Sequence, residues 1–164
     1  MDAAGIHQRL KARFGDQIGE CDLEVKDPFI VVQPAAIVEV GKFLKSEPDL
    51  FFDCLTNESG VDYKAKGVIQ IVYHLYSYRH RHAIVLKVDA PRDNPVVPTV
   101  EHVWKTANWL EREIYDLLGV TFDGHVDLRR LLMPEDWVGY PLRKDFVEPE
   151  EYHGISTRRE SLLK

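Results

Sequence analysis

The chain has 164 residues, 45% hydrophobic and 29% charged, with a formal net charge of -6 at pH 7. That length supports one sizeable core, and the acidic balance argues against broad attraction to nucleic acid or anionic lipid. The two cysteines, Cys21 and Cys54, form no CxxC pair, which excludes a Cys-ligated iron–sulfur cluster or a Cys-rich zinc site; both are expected to be buried, reduced thiols.

Ile6, Leu10 and Phe14 recur at four-residue spacing and predict a short amphipathic helix ended by Gly15. Nothing in this amino terminus resembles a signal peptide. "ECDLEVK" alternates Cys21, Leu23 and Val25 inward, and "PFIVVQ" follows it, so two strands are expected. Pro34 opens a second helix with Ile37, Val38, Phe43 and Leu44 along one side, stopped by Pro48. "LFFDCLTNESGVDY" predicts a strand that bends or turns over residues 57–60. "GVIQIVYHLYSYRHRHAIVLKVDA" predicts two long strands joined over residues 77–81. Its apolar run is far shorter than the ~20 residues that span a bilayer. "PRDNPVVPT" is expected to be a loop, and Thr99 is placed as the N-cap of a helix over residues 100–118 with Gly119 as its stop. The order implies an α+β fold, with helices packed on one face of a mainly antiparallel sheet, followed by an extended C-terminal arm.

On the last helix, Val103, Ala107, Leu110, Ile114, Leu117 and Leu118 share a core face. Glu111 lies at the flank of that stripe, where it either snorkels or needs a buried partner. Trp109 falls on the opposite face beside Arg112, Glu113 and Asp116, and would face water unless covered.

Chemistry-bearing patterns are sparse. His80 and His82 would share one face of a strand, but no third metal ligand stands near, and the hairpin end needs polar residues in any case. His74 and His102 read as satisfied polar residues. No nucleophile stands beside a base, no glycine-rich loop opens a helix, and the pairs Glu111/Glu113 and Glu135/Asp136 carry no site signature.

Residues 124–146 are apolar without a period: Leu128, Leu131, Leu132, Met133, Trp137, Tyr140, Leu142 and Phe146 are interrupted by Pro134, Gly139 and Pro141. Asp127 is expected to cap one short turn and "PEDW" to make another, with the rest extended. With Arg129, Arg130, Arg143 and Lys144 to pin it by charge-assisted bonds, the segment reads as an arm laid along a partner. The alternative is that it folds back across its own sheet. Disorder is expected for "STRRESLLK".

Within residues 107–146, "EREIYDLLG", "GHVDLRR" and "PLRKDF" stand in an order and spacing that resemble the signature region of the C subunit of the proton-pumping NADH:quinone oxidoreductase, respiratory complex I. Departures from the family pattern at Val126, Tyr140 and Val147 concern local turn geometry. The resemblance implies a non-catalytic structural subunit of the peripheral arm, with residues 1–118 as an α+β domain and 119–164 as an arm packed on the D subunit, which carries the quinone site. It implies no cofactor in this chain; FMN, iron–sulfur clusters, NADH and quinone would sit on other subunits. The membrane would be met only through partners, on the cytoplasmic side of a bacterial inner membrane. Interface residues carried over or read from the anomalies above are Trp109, Glu111, Arg112, Glu113, Asp116, His125, Asp127, Arg129, Arg130, Trp137, Leu142, Arg143, Lys144, Asp145 and Phe146. The rivals are the equivalent subunit of a related membrane-bound hydrogenase and a stand-alone enzyme using Glu111, Glu113 and His125 for acid-base work.

Overall fold

The structure, a computed structural model, describes residues 1–158. Helix α1 (Ala3–Phe14) is capped by the Asp2 carboxylate, which accepts from the Gly5 amide at 3.0 Å, and it buries Ile6 and Leu10. Strands β1 (Ile18–Asp22) and β2 (Phe29–Val32) pair antiparallel. The inward alternation of Cys21, Leu23 and Val25 is not formed: a bulge between Ile18 and Cys21 resets the register, Cys21 is exposed, and the chain turns before Val25. Cys54 is half-buried, so neither thiol is the buried one expected.

Helix α2 (Ile37–Ser46) follows a 3-10 turn at Pro34–Ala36 and buries Ile37, Val40 and Leu44, with Val38 and Phe43 at its margin. Strand β3 (Cys54–Tyr63) runs unbroken through residues 57–60, where a bend or turn is expected from the sequence. Its irregularity is a register shift between Leu55 and Asn57. The extra residue moves the strand's inward set by one, so that Glu58, Gly60 and Asp62 lie opposite the buried Tyr73, Ile71 and Ile69. Strands β4 (Val68–Ser77) and β5 (His82–Pro91) form the predicted hairpin.

The main sheet has the order β1-β2-β5-β4-β3, antiparallel except for the β2/β5 pair. Its inward residues, among them Ile69, Ile71, Tyr73, Leu75, Leu86 and Val88, share one core with Ile6, Leu10, Ile37, Leu44, Ala107, Ile114 and Leu118, which places the helices on one face. The expected loop over residues 91–99 contains β6 (Val96–Pro98), paired parallel with β7 (Thr121–Asp123). Residues 101–106 form turns, and α3 (Ala107–Leu118) begins after Thr106 rather than at Val100. Val120 and Phe122 belong to the core, so the folded body extends to Asp123 instead of stopping at Leu118.

Residues 124–150 contain no helix or strand, as the prolines and glycines require, and β8 (Glu151–Tyr152) and β9 (Ile155–Ser156) make a small hairpin. Of the stretch expected to be disordered, Ser156 is in that hairpin and residues 159–164 lie outside the described residues.

Helix α3 packs closely on β3 at Gly60, where a Cβ would stand 2.4 Å from Leu118 Cδ1 and 3.1 Å from Ile114 Cγ2. Gly60→Ala is therefore expected to lower stability by about 1–3 kcal/mol, because a packed helix must lift to admit one methyl. Denaturant unfolding measures this; an unchanged midpoint would show that α3 rides up without cost.

Candidate functional site

The arm lies across the outer face of α3, on the side that the helical wheel assigns to water. Asp116 is fully buried there. Its Oδ2 accepts from the amides of Leu131, Leu132 and Met133 at 3.0, 2.6 and 2.8 Å, and its Oδ1 from Arg130 Nη1 at 2.8 Å. Burial alone would raise its pKa, but the Met133 and Leu132 amides, Arg130 and the Leu131 amide outweigh this and hold it below the ordinary range. The second Arg130 nitrogen, Nη2, donates to the carbonyls of Trp137 and Gly139 at 3.1 and 3.3 Å, so one guanidinium closes two loops of the arm. Arg112 is buried as well; its Nε donates to the Arg129 carbonyl at 3.3 Å, its Nη1 lies 3.8 Å from Asp127, and its guanidinium sits 5.1 Å from the Trp109 ring centroid.

A second clamp holds the arm's far end. Asp62 accepts from Arg92 Nε at 2.8 Å and from the Lys144 amide at 2.8 Å, while Arg92 Nη2 donates to Asp145 at 2.5 Å. The bond from Arg92 is the main reason the Asp62 carboxyl is held below its usual range. Arg143 Nε donates to the carbonyl of Leu118 at 2.7 Å and the Leu142 amide to that of Leu117 at 3.0 Å, satisfying two carbonyls at the C-terminus of α3. Tyr140 fills the space over Gly119, where φ is +72° and a Cβ would stand 2.5 Å from the ring. Trp137 packs between Phe146 and Tyr152, with centroids 6.4 and 5.2 Å away. Arg129, Arg130 and Arg143 therefore find their carboxylates and carbonyls on their own chain. The arm folds back on its own body, which corrects the expectation that Arg130 and Arg143 need another chain's surface. Asp62 and Arg92 carried no sequence signal, because the β3 bulge hides the inward register of Asp62.

Beneath α3 lies a cluster of buried carboxylates. Glu111 is 0% exposed and accepts from Thr99 Oγ1 at 2.5 Å and the Val100 amide at 2.7 Å. Thr99 is thus a ligand of Glu111 rather than the cap of α3. Burial pushes the Glu111 pKa up, the bonds from Thr99 and Val100 pull it back, and Glu101 adds repulsion, leaving it at about 7. Glu101 accepts from Asn108 Nδ2 at 2.6 Å and the Val126 amide at 3.0 Å. His125 Nε2 meets the Asn108 carbonyl at 3.1 Å, 3.8 Å from both Glu101 and Glu111. Glu58 is 3% exposed, with a pKa raised well above the ordinary range by burial and then by Glu111. Across the strand pair, Tyr73 is buried with its own pKa raised, by burial first and then by Glu58 and Glu111.

These positions revise the expected interface. Glu111, Arg112, Asp116 and the His125 side chain are buried within the chain: Arg112, Asp116 and His125 bond across the contact between α3 and the arm, and Glu111 bonds Thr99 and Val100 of the body. The same burial denies a substrate access to Glu111 and His125. His80 and His82 each bond a carbonyl, of Pro48 and Leu50, at 2.7 Å, and among the described residues no group of three or more His, Cys, Asp or Glu is placed to hold a metal ion. Arg130, Trp137, Arg143 and Phe146 are half-buried under the arm's own folds. Trp109, Glu113, Asp127, Arg129, Leu142, Lys144 and Asp145 remain exposed. Apolar residues that the sequence did not assign to an interface are exposed as well: Val138 is 81% and Val147 84% exposed, and Val126 and Ile155 are also exposed. With Trp109, Leu132 and Leu142 they scatter an apolar surface over the arm.

A profile of the family described as "Respiratory-chain NADH dehydrogenase, 30 Kd subunit" matches residues 30–152. The chain is 40% identical over 148 residues to the NADH-quinone oxidoreductase C subunit of Chloroherpeton thalassium, covering 89% of this chain but only 61% of that protein's length. It is 44% identical over 147 residues to that of a Roseiflexus species (88% and 84% covered) and 41% identical over 155 residues to that of Chlorobium phaeobacteroides (93% of each). A solved structure of the trypsin-resistant fragment of Nqo5 superposes with a TM-score of 0.65 at 28% identity, covering 78% of this chain and all, 100%, of that one. A chain of the membrane-bound sulfane sulfur reductase, an archaeal respiratory membrane complex, shares the fold at a TM-score of 0.68 and 23% identity, with 88% and 85% covered.

Proposed function

The chain belongs to the family of the respiratory-chain NADH dehydrogenase 30 Kd subunit, and from that premise we propose that it is a non-catalytic structural subunit of the peripheral arm of NADH:quinone oxidoreductase. It would support electron transfer from NADH to quinone, coupled to proton translocation, by packing against the D subunit at the quinone site. FMN, the iron–sulfur clusters, NADH and quinone belong in this reading to other subunits. The placement would be peripheral, on the cytoplasmic side of a bacterial inner membrane; among the described residues no helix is long and apolar enough to cross a membrane.

The observation that carries the reading is the arm's division of labour. Arg129, Arg130, Arg143 and Asp145 are spent on fixing its shape, while Leu132, Val138, Leu142 and Val147 of the arm, and Trp109 of α3 beside it, are left exposed. A prefolded surface of that kind loses little conformational freedom on docking. Co-isolation of the tagged chain tests it: recovery with NADH-binding and quinone-site subunits supports it, whereas recovery alone or with hydrogenase subunits refutes it. Val138→Asp places a charge on an 81% exposed residue beside the arm's bend at Gly139. It is expected to change the stability of the isolated chain by less than about 0.5 kcal/mol. It should nevertheless reduce co-isolation by about tenfold or more if Val138 is buried in the complex. Undiminished recovery would remove that bend from the interface.

A further inference from the structure

We propose that the cavity between β3 and α3 is a socket for an arginine side chain of a neighbouring subunit, with Glu58 as its counter-charge. The inference rests on the subunit role proposed above and deepens it.

The cavity holds about 120 Å³ and is lined by Asn57, Glu58 and Gly60 of β3, by Glu113 and Leu117 of α3, and by Leu142 of the arm. Small-molecule sites run to about 300–1,000 Å³, so this space suits a side-chain head rather than a metabolite. It lies beside an edge strand, because β3 ends the main sheet, and its lining includes Leu142 of the arm, itself exposed.

Glu58 is the exception among the buried acids. Asp62, Glu101, Glu111 and Asp116 each accept two or more hydrogen bonds. Both oxygens of Glu58, and the Tyr73 hydroxyl facing it, have no partner among the described residues. Buried polar groups in native proteins are almost always hydrogen-bonded, so such a group asks for a reason. Taking up a proton would remove the charge but leave the bonding capacity unmet. Arg143 is committed to the Leu118 carbonyl and Arg92 to Asp62 and Asp145, and neither bonds Glu58. Turned toward the cavity, the two unpartnered carboxylate oxygens of Glu58 would match the two parallel N–H groups of a guanidinium. Leu117 and Leu142 offer an apolar wall for its methylene stem, and Glu113 stands at the rim.

Docking has a proton cost that makes it measurable. In the free chain, burial and the facing Glu111 of α3 favour the neutral form of Glu58; Tyr73 of β4 and Glu113 of α3 add no positive charge, and Asp62 further along β3 is neutralised by Arg92. An arriving arginine binds the carboxylate, so assembly releases a proton and affinity rises with pH.

The test adds purified full-length chain back to membranes from a strain that lacks it, at about pH 6 and about pH 8. Wild-type chain is expected to rebind with an affinity that rises by up to about tenfold per pH unit. Glu58→Gln should rebind about tenfold or more weaker at the higher pH, with a flat profile. Equal rebinding of the variant, or a wild-type affinity that does not rise, overturns the socket alone. Wild-type chain that does not rebind at all overturns the subunit role, and the socket with it.

Discussion

Asp116→Ala is expected to detach the arm from α3 at a cost of about 3–5 kcal/mol, the range for removing one partner of a buried ion pair. The size follows from what the carboxylate holds. Three consecutive amides, of Leu131, Leu132 and Met133, and the Arg130 guanidinium converge on it, and each loses its acceptor in a space that the arm itself closes to water. Limited proteolysis with denaturant unfolding distinguishes the outcomes: cleavage within residues 128–146 with an intact body is expected. A resistant arm and a loss below about 1 kcal/mol would show that the aromatic packing of Trp137, Tyr140 and Phe146 suffices.

Acid should act in the same direction. The native pKa values of Asp116 and Asp62 lie below the ordinary carboxylate range. Their contribution is therefore fully present above the unfolded-state value and is lost as pH falls through the native ones. Arg143→Ala, which the sequence offers as a probe of a partner, becomes a probe of the arm's own attachment through the Leu118 carbonyl.

Local pattern made most of the body legible. The β4–β5 hairpin, the stripe of α1 and the stop at Gly119 follow from periods and glycines that act within a few residues. The misses share a cause. One inserted residue at the β3 bulge inverts the faces of a strand, and the pattern from Cys54 to Tyr63 gives no sign of it, so nothing local marks Glu58 and Asp62 as inward. Strands β6 and β7 are three residues each, too short to show alternation. Glu111 was legible as an acid on an apolar stripe, but not that Thr99 and Val100 would meet it. The arm was legible as ordered and apolar; its destination was not, because Lys144 and Asp62 are separated by 82 residues and nothing in a doublet of charges names its partner.

Glu58→Gln tests the buried cluster from the side of stability, and its sign is contrary to the usual result of altering a buried residue. Glu58 and Glu111 both have native pKa values above the ordinary carboxylate value, Glu111 at about 7. Between the unfolded value, about 4.3, and the raised native ones, the folded chain binds more protons than the unfolded chain, so stability falls as pH rises through that window. The amide removes one of the two interacting charges and keeps the shape. Glu58→Gln is expected to stabilise the isolated chain by about 1–3 kcal/mol near pH 8, with the gain vanishing by about pH 3, where both carboxyls are protonated in either state. Denaturant unfolding of both proteins across that range measures it; a variant less stable than wild type at the alkaline end would mean that Glu58 is ionised and well solvated in the free chain. A stabilising loss of this carboxylate, joined to weaker rebinding in the complex, would mark Glu58 as a residue that costs the isolated subunit stability and returns it on assembly, where an opposite charge completes the pair.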